Sequence, residues 1–142
     1  MKRGTAIATG AYRQAQIGGN AVVMVLSLLD AALASLMRAE EARRETHLDM
    51  ELAELDRVSR IMLGLNSALD RMRDWPLIGR LERFYLTISF HALAVPRRKD
   101  PFQAYERLAR QLRGMRDAWA RIAREGAAAR GAAVGRDTNV IL

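Results

Sequence analysis

Residues 21–37 read AVVMVLSLLDAALASLM, interrupted only by Ser27, Asp30 and Ser35. A helix that is apolar on nearly every side needs neighbours on more than one side. It is either the central helix of a bundle or a helix whose spare face meets a partner. A transmembrane span wants about 20 apolar residues without charge. This run is shorter, carries Asp30 near its middle and leads into RAEEARRE. It reads as a buried helix of a soluble protein, with a membrane span as the lesser alternative. Asp30 reads as a carboxylate at the exposed edge of that helix, or hydrogen-bonded to a neighbour, rather than as a functional group.

Before the run, residues 1–19 hold small side chains, Gly18-Gly19 and no helical period. They predict an extended arm whose substantial apolar anchors are Tyr12 and Ile17. Asn20 is a good N-cap. The first helix is therefore expected over residues 21–44, with Glu40 and Arg44 spaced for a weak i, i+4 surface pair.

After it, Thr46-His47-Leu48-Asp49 resembles a capping box with Asp where Glu is usual. In the second helix Leu48, Leu52, Leu55, Val58, Met62, Leu65, Leu69 and Met72 recur at steps of three and four, the cleanest stripe in the chain. Asp49, Glu51, Glu54 and Asp56 crowd its start and Arg71 and Arg73 its end, an order that complements the helix macrodipole. Gly64 within the stripe costs about 1 kcal/mol relative to Ala, tolerable where a neighbouring helix passes close.

Asp74-Trp75-Pro76 and Asp100-Pro101 both read as helix starts, with proline in a first turn where its missing N–H had no partner. The third helix is expected over residues 77–94, with Leu81, Phe84, Tyr85, Ile88, Ala92 and Val95 on its apolar side. The fourth carries Phe102, Tyr105, Leu108, Leu112, Met115, Trp119 and Ile122 on one face and Arg107, Arg110, Arg113, Arg121 and Arg124 on the other. Trp119 and the stripe of the second helix read as core. Residues 126–142, GAAARGAAVGRDTNVIL, predict a frayed helix end and a flexible tail. The expected organisation is an arm (1–19), a bundle (20–125) and a tail (126–142). Short connections make the fold all-α, an antiparallel up-down-up-down four-helix bundle with an extended N-terminal arm and a flexible C-terminal tail.

Composition narrows function. The chain has 142 residues, enough for one domain with a sizeable core. It has no cysteine, which removes disulfides, thiolate zinc sites and cysteine nucleophiles, and fits a cytoplasmic setting. Behind Lys2 and Arg3 there is no continuous apolar core, so no secretory signal is predicted. The two histidines, His47 and His91, are isolated, and no HExxH or Glu-x-x-His pair occurs. There is no phosphate-binding Gly-rich loop and no Ser nucleophile elbow. The expectation is a non-enzyme without metal or cofactor. The net charge of +7 favours acidic partners in a nonspecific way. The longest local basic run is Arg97-Arg98-Lys99, and aromatics make up only 6%, too few for a stacking platform.

The chain resembles the flagellar secretion chaperone FliS family over roughly residues 11–123. Ala11-Tyr12 and then Ile17 look like the family's Ala-Tyr and downstream Val. Leu28-Leu29-Asp30-Ala31-Ala32-Leu33 matches its Leu-Tyr-Asp-Gly-Ala-Leu. Ile61 to Asp70, IMLGLNSALD, resembles Ile-Ile-x-x-Leu-x-Ser-x-Leu-Asp. Phe84-Tyr85 falls where the family has Leu-Tyr, and Leu112 to Trp119, LRGMRDAW, is similar to the closing Leu-x-x-Leu-Arg-Asp-x-Trp. The chain departs from the pattern in having GGNAVV for Thr-Ala-Ser-Pro-Glu-Lys-Leu, Leu29 for Tyr, and a basic balance.

The resemblance implies a cytoplasmic export chaperone that holds the C-terminal helical region of flagellin and prevents its premature polymerisation. It also admits other flagellar regulators as partners, and it implies no membrane. The mode implied is helix-in-groove. Tyr12 and Ile17 of the arm, with Val22, Leu26, Leu29 and Leu33 of the first helix, are then the partner-binding residues. The plain alternative for those four is a central core helix. The rival function, resting on charge, is a basic helical adaptor for nucleic acid or another acidic partner.

Overall fold

A computed structural model describes residues 19–69 and 76–141. Among them are four α-helices and no strand: α1 Gly19–Arg44, α2 Leu48–Ser67, α3 Pro76–Ala94 and α4 Pro101–Ile141, with a 3-10 turn Val95–Arg97 between the last two. The all-helical bundle read from the sequence is the fold that forms. Tyr12, Ile17, Met72 and Trp75 lie outside the described residues.

The chain divides into two units, Ser27–Met115 and the flanking segments Met1–Leu26 with Arg116–Leu142. The first unit draws on all four helices. Arg38 on α1 reaches Glu54 on α2 at 3.2 Å, and Arg43 reaches Glu51 at 3.0 Å. Numbers rise along one helix as they fall along the other, so α1 and α2 run antiparallel. Ser59 and Ser89 share a buried hydrogen bond of 2.6 Å that joins α2 to α3. Glu51 accepts from Tyr105, and the Arg44 guanidinium lies 5.7 Å over the Phe102 ring. The end of α1 and the starts of α2 and α4 therefore meet at one end, the end to which α3 also delivers the chain. The order is up-down-up-down. Leu29, Leu36, Leu55, Val58, Met62, Tyr85, Ile88, Tyr105 and Leu112 are the buried side chains that fill this unit.

The turns have local causes. α1 ends in a Schellman arrangement, in which His47 N–H donates to the Ala42 carbonyl at 2.8 Å and Thr46 N–H to that of Arg43 at 3.1 Å. Thr46 holds the left-handed position at φ 58°, where glycine is usual. The expected capping box does not form. His47 is the N-cap of α2 and makes no side-chain cap bond, while Thr46 Oγ1 donates to the Glu45 carbonyl at 2.6 Å. Finishing α1 has taken the threonine that would have started α2. The expected cap at Asn20 is also displaced, because α1 begins at Gly19. Asp100 does cap α4, its Oδ1 accepting from Gln103 N–H at 3.1 Å ahead of Pro101.

Three further expectations are corrected. α4 continues as helix to Ile141, through the segment read as a tail. Its alanines are the best helix formers and no proline interrupts them. Gly64 is not a close-packing point, since a Cβ there would meet nothing within 4 Å. And the stripe of α2 is not all core, since Leu48 and Leu52 are 57% and 46% exposed. In the other unit, Trp119 is half-buried.

Candidate functional site

Within Ser27–Met115 the polar interior is organised around one carboxylate. Glu51 lies in the first turn of α2 with 1% of its surface exposed. Its Oε1 and Oε2 accept from Arg43 Nη1 at 3.0 and 3.1 Å, and Oε2 also accepts from the Tyr105 hydroxyl at 2.7 Å. A buried carboxylate is tolerated only when paired and hydrogen-bonded. Here α1 supplies the cation, α2 the anion and α4 the hydroxyl. Burial, the hydrogen bond to Glu51 and the negative charge on it hold the Tyr105 phenol far above its ordinary pKa. The arrangement offers no nucleophile with a base beside it, and among the described residues no acid–histidine cluster could hold a metal ion. The arrangement joins α1, α2 and α4 as a structural clamp.

The accessible feature of this unit is apolar. α3 buries Leu81, Tyr85, Ile88 and Ala92 at i, i+4, i+7 and i+11. On its other side Leu86, Phe90 and Leu93, at i, i+4 and i+7, are 41%, 66% and 48% exposed. α2 answers with Leu52 and Leu63, exposed on the side that also carries Ser59. Ser59 touches Ser89, so one turn from that contact, in opposite directions on antiparallel helices, Leu63 and Leu86 come to one level. The seam between α2 and α3 thus has a small polar floor and apolar rims. Exposed apolar surface gathered in this way marks an interaction site.

The α1 residues named from sequence separate into two kinds. Val22 and Leu29 are buried, at 5% and 0% exposure, while Leu26 and Leu33 are half-buried. The most exposed large apolar side chains of α1 among the described residues are instead Val23 and Met24 in the flanking unit and Met37 in the central one. Asp30 is exposed, as expected. Leu86, Phe90 and Leu93 were missed because only one side of α3 was traced. The signal was present: LTISFHALAV over 86–95 has more large apolar side chains than a single buried stripe can take. α1 over Ala21–Arg44 is long and apolar enough to cross a membrane by length and composition. Its Arg38 and Arg43 are nevertheless spent on carboxylates of α2 inside the central unit.

A family model described as flagellar protein FliS matches residues 5–126. No curated protein and no solved structure matches the chain.

Proposed function

The chain belongs to the flagellar protein FliS family, a family of cytoplasmic flagellar export chaperones, and on that premise we propose that its client is the C-terminal helical region of flagellin. The observation that carries the reading is the apolar seam of α2 and α3. Leu63, Leu86, Phe90 and Leu93 leave between two-fifths and two-thirds of their surface in water. An amphipathic client helix has apolar side chains at the spacing that fills such a seam. While it lies there, its own apolar face is unavailable for assembly with other copies.

Within the same unit, Leu33 of α1 keeps part of its surface accessible and is a further candidate client contact, whereas Leu29 is buried. Tyr12 and Ile17, outside the described residues, enter the proposal only by resemblance to the family, as residues that would cover client-binding surface and move on binding. The chaperone works in the cytoplasm and needs no cofactor.

Calorimetry with purified full-length protein tests the reading. Flagellin should bind one-to-one, with modest dependence on salt. Flagellin lacking its C-terminal segment should give no heat, and equal binding of the two would sink the proposal. The rival reading, a basic adaptor for nucleic acid or another acidic partner, demands an affinity that collapses as salt rises.

A further inference from the structure

Where the end of α3, the following turn and the first turns of α4 meet, the central unit holds a cavity of about 350 Å³. Arg98 and Lys99 from the turn, Arg107 from α4 and His91 from α3 line it. The one carboxylate in the lining, Asp100, already accepts the Gln103 N–H at 3.1 Å. The rest of the chain pairs many of its guanidinium groups. Arg38, Arg43, Arg44, Arg60 and Arg110 each lie within 4.0 Å of an acid. Arg98, Lys99 and Arg107 make no ion pair among the described residues. Three cations turned on one concavity repel one another, and a cleft lined by one sign of charge concentrates the opposite ion.

We propose that this cavity binds a small phosphoryl-bearing ligand. Two guanidinium forks, one from the turn and one from α4, suit a dianionic oxyanion approached from two sides, and the lysine adds a point charge. The volume lies at the small end of small-molecule sites, and three cations face it beside the apolar Ala104 and Leu108, so the ligand is compact and anionic. Nucleic acid fits less well. A strand needs a track of phosphate contacts and aromatic platforms, and the lining has no aromatic ring besides the His91 imidazole. The site does not depend on the client reading, although its His91 neighbours Phe90 of the seam, the ring centroids lying 6.1 Å apart.

Pyrophosphate is the probe. Titrated into the full-length protein, it should bind one-to-one and shift the imidazole resonances of His91 while leaving those of His47 in place. The variant R98A/R107A should bind at least about tenfold more weakly. The variant R80A/R113A removes equal charge outside the cavity and should bind as the parent does. All four arginines are exposed, so thermal melts should be unchanged. Equal weakening in both variants, more than one equivalent bound, or unmoved His91 resonances would each overturn the site. So would a short oligonucleotide or an acidic peptide that binds through Arg98 and Arg107 more tightly than pyrophosphate.

Discussion

Tyr105 donates its hydroxyl proton to Glu51 Oε2 across 2.7 Å, with both side chains sealed from water. The bond ties the start of α4 to the start of α2. Arg43 approaches the same carboxylate from α1. Removing the cation leaves a buried charge partly uncompensated, which costs about 3 kcal/mol. Removing only the phenol hydroxyl leaves Arg43 in place and costs about 1–2 kcal/mol. Urea unfolding should therefore rank Arg43→Met below Tyr105→Phe, and both below the parent. The reverse order would show that the phenol, not the cation, keeps the carboxylate buried.

The same phenol makes stability fall at high pH. Its folded pKa is raised, while in the unfolded chain it titrates near 10.0. The unfolded state therefore loses a proton that the folded state keeps. The contribution is fully present below about pH 10 and is lost as pH rises beyond it, with a limiting slope of about 1.4 kcal/mol per pH unit. Melts from pH 8 to 11 should show the parent losing stability faster than Tyr105→Phe. Parallel curves would refute the linkage.

Thr46 is strained where it stands. A β-branched residue at φ 58° carries a penalty that glycine does not. Thr46→Gly keeps both backbone bonds of the Schellman turn and gives up only a contact to the neighbouring carbonyl. It should stabilise the protein by about 1 kcal/mol and raise the melting temperature by a few degrees. A lower melting temperature would mean that the Thr46 hydroxyl outweighs the strain.

Gly64 sits on an exposed part of α2, with open space where a Cβ would go. Gly64→Ala should gain about 0.5–1 kcal/mol from helix propensity. A loss of stability in equilibrium unfolding would reveal a packing role that the geometry does not contain.

Phe90 is 66% exposed, so it contributes little to folding and much to any partner that covers it. Phe90→Ser should leave the melt unchanged and weaken flagellin binding by about 1–3 kcal/mol. Leu93→Ser should do the same more mildly. Full affinity in both variants would remove the α2–α3 seam from the client surface.

The helix starts were legible because Asp100-Pro101 and Pro76 are punctuation whose meaning is local. The join of α1 and α2 was not. Thr46 has a side chain suited to opening α2 and a position that closes α1, and only the hydrogen bonds of the turn choose between them. The length of α4 was misjudged for a related reason. An alanine-rich segment shows no apolar stripe, yet it needs none to be helical.

By itself the sequence determined four helices, their order, the absence of thiol chemistry and the family. Each depends on local propensity, on residue type or on motifs kept in order along the chain. Tertiary structure decided which apolar atoms stay in water. Leu29 and Met24 look alike on a helix that is apolar all round, and Phe90 shares α3 with the buried Ile88. Periodicity finds a side of a helix, but only packed neighbours determine whether that side is covered.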